Sequence, residues 1–288
     1  MKVNTLTIAC STIGRYGSIN NLLTSIKETV RVPHSILIVN SGSSLDLDFK
    51  SKYTVDFEII NYEEPLRVPK ARNIIFKKCE SSFLLIMDDD MVLEENTVSD
   101  FIEVMNTRTE IDILGCAVSE YGRWRDIGFR MFMVEKNNRK IVYKDPIYKK
   151  WLDDNNISLC NVDMITQPPW FFRKNIYKRV RFDVNYPWAS DIIDFFMDCK
   201  HKNIVSAVTP NIKVKHEPTN YETGTVNHKH NKIEGNKIGK KYFAEKWGME
   251  HHKIPDYSLI VGLFKRYSIR VSRKLMIKNK IKVDGVKY

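Results

Sequence analysis

Phe83-Leu84-Leu85-Ile86-Met87-Asp88-Asp89-Asp90 is the stretch from which the rest of the chain can be read. Its apolar part reads as a strand buried on both faces, the kind found in parallel sheets covered by helices. Three carboxylates then crowd the end of that strand beside a low-dielectric core. They repel one another, and something positive must offset this. A divalent cation carrying a phosphorylated ligand would do so, because hard cations take carboxylate oxygens. The competing reading is a solvated acidic turn.

Working outward, Val3 to Cys10 reads as a strand, Ser11 to Gly17 as a loop, and Ile19 to Thr29 as a helix with Leu22, Leu23 and Ile26 on one face. Ser35 to Asn40 and Phe57 to Tyr62 are further strands, and Val68 to Cys79 and Thr97 to Thr107 further helices. This order is that of an α/β fold with a mostly parallel central sheet flanked by helices. Ligands bind such sheets beyond the carboxyl ends of the strands. The polar loops after Cys10, Val39 and Met87 all fall at that edge and can converge on one cleft. Between Ile111 and Thr166 the pattern weakens. Ile113 to Val118 and Met131 to Val134 read as strands, Gly122 to Asp126 as a loop, and Lys144 to Asn156 as a polar excursion. Regularity returns with a strand at Trp170 to Phe172, a short helix at Lys174 to Arg179, a helix at Asp191 to Lys202 and a strand at Val205 to Val214.

With 288 residues and 43% apolar content the chain can bury a sizeable core. No run approaches about 18 apolar residues, so no membrane span is expected. No n-region and h-region pair precedes the first strand, so no secretory signal is expected. The five cysteines lack CxxC spacing and read as reduced, buried residues of a cytoplasmic protein. Of the net charge of +11, nine Lys or Arg against two Asp place +7 in residues 256–288. Leu259, Ile260, Leu263, Phe264 and Tyr267 fall there at helical spacing, with basic residues between them. One reading is an interfacial helix on an anionic membrane surface; the other is a helix packed on its own domain with a solvated basic face. No nucleic-acid recognition motif is visible.

The order of motifs resembles the family 2 glycosyltransferases of the GT-A (Rossmann-like) fold, over roughly residues 3 to 250. Ile8-Ala9-Cys10-Ser11-Thr12 is similar to the family's nucleotide-binding loop, with Arg15 kept and the usual Pro and Tyr-Asn absent. Val39-Asn40-Ser41-Gly42-Ser43 stands where the family has an acidic pair before Gly-Ser. Lys70-Ala71-Arg72-Asn73 resembles the Ala-Arg-Asn helix start, and Leu85 to Asp90 the strand ending in the Asp-x-Asp metal motif. Phe182-Asp183-Val184-Asn185-Tyr186, Asp191 and Asp194 resemble the acceptor-side segment. Val214-Lys215-His216 is similar to the strand-end histidine, and Lys246-Trp247-Gly248 to a late motif of many members.

The resemblance implies roles. Asp90 is expected to ligate Mn²⁺ or Mg²⁺ directly, with His216 beside it; a histidine next to carboxylates suits Mn²⁺ better. His216 as an ordinary strand-end residue is the alternative. Asp88 is expected to hold the ribose or a metal-bound water, and so belongs with both metal and nucleotide sugar. Asp89 belongs to the same loop and either meets the nucleotide sugar or points into supporting structure. Ser11, Thr12, Arg15 and Asn40 are expected to hold the nucleotide, Asn40 and Ser11-Thr12 through its base and ribose; a strand followed by an ordinary Ser-Gly turn is the alternative for these three. Arg72 is expected to pair with a phosphate or with Asp88. Asp191 is expected to be the general base, with Asp194 one turn on as fallback; Asp191 as a plain helix cap is the alternative. Trp170 and Trp188 bracket the expected acceptor side, where aromatic faces can stack on sugars, or are simply core.

The expected organisation is a GT-A domain over 1–250, with a nucleotide-sugar half at 1–110 and an acceptor half at 111–250, and a basic amphipathic helical extension at 251–288. The expected partners are a nucleoside-diphosphate sugar and a glycan or lipid-linked acceptor. Location is expected to be cytoplasmic, with the extension able to lie on the inner face of a membrane. Two other functions stay open. A nucleotidyltransferase making sugar nucleotides needs a Gly-rich, basic loop after the first strand, of which Ser11 to Gly17 is a poor version. A non-catalytic module on a decayed transferase is kept open by Asn40 and Ser41.

Overall fold

In chain order the elements are β1 (Leu6–Thr12), α1 (Tyr16–Thr29), β2 (His34–Ser41), β3 (Asp56–Tyr62), α2 (Val68–Lys78), β4 (Phe83–Asp88), β5 (Met91–Leu93) and α3 (Thr97–Thr107). There follow β6 (Ile113–Glu120), β7 (Arg123–Trp124), β8 (Asp126–Lys136), β9 (Arg139–Tyr148), α4 (Lys149–Asp154), β10 (Cys160–Val162) and β11 (Met164–Ile165). The last are β12 (Trp170–Arg173), α5 (Lys174–Tyr177), α6 (Asp191–His201), β13 (Ser206–His216), α7 (Val226–Trp247) and β14 (Met249–Lys253). The structure, a computed structural model, describes residues 5–42, 45, 55–136, 139–187, 190–218 and 226–253. Trp188 and residues 254–288 lie outside the described residues; the first three residues of the expected helical extension, 251–253, are the end of strand β14, because they pair with β9.

The apolar run at 83–87 is buried on both faces, as its composition requires. Leu84 and Ile86 face a cluster with Phe76 of α2, Trp170 and Phe172 of β12 and Phe195 of α6. Leu85 and Met87 face the other way, toward Ile8, Leu22 of α1, Phe101 of α3 and Phe171. Phe101 and Phe171 stack with ring centroids 5.1 Å apart. Helices therefore cover both faces of the sheet, and each strand residue has a core on its own side.

The main sheet runs β10-β13-β6-β12-β4-β1-β2-β3, with β5 on β13 and β7 on β6. β4, β1, β2 and β3 are mutually parallel. β12 enters antiparallel between β4 and β6, and β13 is parallel to β6. Two antiparallel steps cancel, so β6 and β13 point the same way as β1 and β4. All their carboxyl ends reach one edge, the one on which the sequence placed its polar loops. A smaller sheet, β11-β8-β9-β14, packs beside the first. The early and late parts of the chain share the main sheet, because β12 bonds to β4 on one side and β6 on the other.

Three segments differ from their sequence reading. Residues 144–156 form the end of β9 and then α4, because Lys144 to Tyr148 pair along β8. A ladder on the outer sheet needs little apolar patterning of its own. Gly122 to Asp126 is a tight hairpin and strand β7, not an open loop. The long helix α7 was not anticipated. Its residues 226–240 are mostly Lys, Asn, His and Gly, which leaves few apolar positions to mark a face. All five cysteines are unpaired and buried. Among the described residues no helix is long and apolar enough to cross a membrane.

Candidate functional site

The acidic triplet forms the turn between β4 and β5. Asp88 keeps 38% of its side chain in water, while Asp89 and Asp90 are buried. Arg15, from the β1–α1 loop, reaches both of these. Its Nε donates to Asp89 Oδ2 at 2.9 Å, and Nη1 to Asp90 Oδ2 at 3.1 Å. Nη2 pairs with the other Asp89 oxygen. Thr12 Oγ1 also donates to Asp89. Burial lifts the Asp89 carboxyl to about 6, against the pull of Arg15 and Thr12. Asp89 thus fastens the β1–α1 loop. Of the two readings of this residue, the supporting one matches its surroundings.

Asn40 has a supporting place too, which corrects its expected contact with base and ribose. Its side chain is fully buried. Its Oδ1 accepts from the Gly14 N–H at 2.9 Å, and its Nδ2 donates to Asn61 Oδ1 at 2.7 Å. Gly14 has φ +77°, a conformation that side chains disfavour. The amide of Asn40 therefore holds the loop from below, and a ligand cannot reach it without displacing the loop. Thr12 is likewise buried and committed to Asp89. Ser11 stands level with Asp88 in the β1–β4 register, at the edge of the cleft.

Arg72 opens the second turn of α2, a helix that Pro69 helps to start. Its guanidinium is nearly inaccessible and sits between two carboxylates. Nη2 is 3.6 Å from Asp88, and Nη1 is 3.3 Å from Asp191 at the head of α6. Below it are the rings of Trp170 at 4.7 Å and Phe182 at 5.2 Å, so the cation is held by charge on two sides and by π faces beneath. Burial raises the Asp191 carboxyl above its ordinary value, with Arg72 opposing.

This packing corrects the expected role of Trp170. The ring is fully buried, stacked on Phe182 at 5.8 Å, and capped by Arg72. No sugar can stack on it. Asp194 is also placed away from the cleft. It accepts from the Tyr186 hydroxyl at 3.0 Å, from Trp247 Nε1 at 2.8 Å and from Lys246. These bonds tie α7 to α6 and leave Asp194 unfit for the fallback role of base, because its oxygens already face donors.

At the end of β13, His216 Nε2 is 3.1 Å from Asp90 Oδ1. Its Nδ1 is 3.5 Å from Glu120 Oε1. Neither Asp90 Oδ1 nor His216 Nδ1 completes a hydrogen bond, although both are buried. Burial alone would raise the Asp90 carboxyl; the adjoining His216 and Arg15 outweigh it and hold the carboxyl below its usual range. Burial would lower His216, but Asp90 raises it on balance. Among the described residues no three His, Cys, Asp or Glu side chains form a ready-made metal cage. The imidazole turns Nε2 toward Asp90 and Nδ1 toward Glu120, so a cation would have to enter between Asp90 Oδ1 and Nε2 of a neutral His216. A carboxylate and an imidazole there are ligand types that such a cation accepts, with phosphate and water for the rest.

Glu120, Arg125 and Asn61 were missed by the sequence reading. Glu120 ends the apolar strand β6 and pairs with Arg125, which also donates to Gln167. Its position at the carboxyl end of a strand was the available signal.

Comparison with known proteins agrees with this geometry. A family model described as glycosyl transferase family 2 matches residues 7–182, more than half of the chain. Among solved structures, S. aureus TarS 1-349 is similar, with 17% identity, a TM-score of 0.54, and coverage of 74% of this chain and 60% of that one. The S. aureus TarS 1-349 complex with UDP has 15% identity and a TM-score of 0.55, covering 96% and 75%. A longer S. aureus TarS structure has 15% identity and a TM-score of 0.54; this chain spans 40% of its length. At these identities the likeness establishes the fold, which is GT-A. No match was found among curated proteins.

Proposed function

The chain belongs to glycosyl transferase family 2, and from that premise we propose that it moves a sugar from a nucleoside diphosphate to a hydroxyl of a glycan or lipid-linked acceptor, with inversion. The observation that carries this reading is the bridge made by Arg72, 3.6 Å from Asp88 and 3.3 Å from Asp191. It brings a donor-side carboxylate and a candidate base to one cleft at the carboxyl edge of the sheet. The UDP found with S. aureus TarS makes UDP-sugars the first donors to try.

In this reading the acceptor oxygen bonds to the anomeric carbon as the bond from that carbon to the diphosphate oxygen breaks. The acceptor proton passes to Asp191, whose burial raises its affinity for it. The nucleoside diphosphate leaves with the bonding pair. Arg72 keeps Asp191 oriented and offsets negative charge beside the leaving group. Asp90 and His216 would hold Mn²⁺ or Mg²⁺, with Asp88 toward the ribose or a metal-bound water. A cation there supplies positive charge that stabilises the departing diphosphate. Ser11, at the mouth of the cleft, is open to the nucleotide. A cytoplasmic location, at the inner face of a membrane when the acceptor is lipid-linked, is consistent with this chemistry.

The test is nucleoside-diphosphate release from UDP-, GDP- and CDP-sugars with and without Mn²⁺, alongside pyrophosphate release from nucleoside triphosphates. Release from one donor class that depends on Mn²⁺ and on Asp191 is expected. Pyrophosphate release would instead favour the nucleotidyltransferase. No turnover and no nucleotide-dependent thermal shift would leave only a non-catalytic module.

A further inference from the structure

The hairpin between β6 and β7 carries aromatic surface that folding does not use. Its two-residue turn is Tyr121-Gly122, with φ of 48° and 72°. Turns with both central residues left-handed match the twist of the flanking strands and favour Asn, Asp or Gly. A bulky aromatic residue is out of place there, and such outliers concentrate at functional sites. Tyr121 keeps 75% of its surface in water, so packing does not offset the strain. Trp124 keeps 45% exposed, and Tyr148, next to Lys149, keeps 46%. Lys149 Nζ lies 5.0 Å from the Trp124 ring centroid and is itself tied to Asp153 at 2.6 Å. That lysine braces the indole from one side.

The hairpin stands where such a surface would matter. β6 ends at the same sheet edge as β1, β4 and β13. Glu120, immediately before Tyr121, is 3.5 Å from His216, which is 3.1 Å from Asp90. The aromatic surface thus starts one residue from the polar cluster assigned to the donor.

We propose that Tyr121 and Trp124 form the platform on which a pyranose ring of the acceptor saccharide stacks. This rests on the glycosyltransferase reading and adds the location of the acceptor. A pyranose presents an apolar C–H face with a rim of hydroxyls. An exposed aromatic face beside a polar cluster complements both, and rigid rings supply contact area at low entropic cost. The other aromatic residues of the cleft floor, Trp170 and Phe182, lie beneath Arg72 and are closed to sugars.

The experiment uses saturation-transfer-difference NMR on the full chain, with the methyl glycosides of glucopyranose and N-acetylglucosamine, in both anomers, as probes. Saturation of the ring C–H protons is expected, falling about fivefold in Trp124→Ala. Tyr121→Asn suits the turn, so it is expected to keep or raise Tm while also lowering the signal about fivefold. This second variant carries the test if Trp124→Ala fails to fold. A UDP-induced thermal shift is measured on the same samples. A sugar signal unchanged in the variants, or absent from the wild-type chain for every probe, overturns the platform. If the UDP shift survives such a result, only the platform falls; loss of the UDP shift from the wild-type chain sinks the donor reading.

Discussion

Two acidic clusters of similar composition stand a short distance apart in this molecule and are finished differently. Around α6, Asp183 and Asp194 meet Lys246, Tyr186, Tyr242 and Trp247. Asp194 takes Tyr186 and Trp247 on one oxygen and Lys246 on the other. Asp183 takes Lys246 at 2.8 Å, Tyr242 at 3.0 Å and the Asn185 N–H at 3.0 Å. At the sheet edge, Asp88, Asp89 and Asp90 meet Arg15, Arg72 and His216. There only Asp89 is fully engaged; Asp88 is open to water, and Asp90 Oδ1 and His216 Nδ1 lack hydrogen bonds. Charge count does not separate the two clusters. Unsatisfied valence does: one is complete as folded, the other leaves two buried atoms without hydrogen bonds.

The strongest way to break this comparison is to remove one residue from each cluster. Asp194→Ala leaves Lys246, Tyr186 and Trp247 facing a hole. Unfolding by denaturant should register a loss of about 3 to 5 kcal/mol. Asp90→Asn should leave Tm within a few degrees of wild type yet abolish the Mn²⁺-dependent nucleotide shift; a large stability loss there would make the triplet structural.

Asp191→Asn comes next. Turnover should drop by about 10³-fold with donor binding retained, since the variant keeps the shape and loses the base. Full activity in this variant would return Asp191 to the role of helix cap.

Arg72→Lys sharpens the comparison further. A lysine cannot span two carboxylates and lie flat over Trp170, so turnover should fall about tenfold. The Asp191-dependent limb of the pH–rate profile should move in parallel.

The smallest effect concerns acid. Burial works to raise the Asp183 carboxyl, but Lys246, Asn185 and Tyr242 outweigh it and hold it below its ordinary value. The unfolded chain therefore takes up the proton first. Asp183 stabilises the fold fully above about pH 4, and the benefit fades as pH falls through the lower folded value. The Tm difference between wild type and Asp183→Asn should shrink over that range; a constant difference would show that the carboxylate gains nothing from its partners.

Much of the parallel half was legible because two-sided burial leaves uninterrupted apolar runs, as in Leu84 to Met87 and Ile36 to Val39. The edge where the polar loops meet followed from that alone. The middle was less legible. β8 and β9 bury Ile127, Phe129, Met131, Val142 and Ile147, but charged residues break up their apolar positions, and α7 is marked by cations more than by a face. Side-chain roles were the least legible. Asn40 and Asp194 carry the residue types expected of ligand-binding groups, yet their partners, Asn61 and Trp247, lie 21 and 53 residues away. For Trp170 the sequence leaves acceptor surface and core both open, because nothing local reveals that Arg72, on another element, covers its face.

β5 pairs with the end of β13, and the Glu217 N–H donates to the Asp90 carbonyl at 2.8 Å. A ribosome making this chain from its amino end releases the three aspartates long before their clasp has been translated. During that interval the nascent polypeptide has the acidic loop but not the histidine that completes it. Premature termination products ending ahead of β13 would therefore carry the three aspartates with neither the strand that pairs with β5 nor the amide that meets the Asp90 carbonyl.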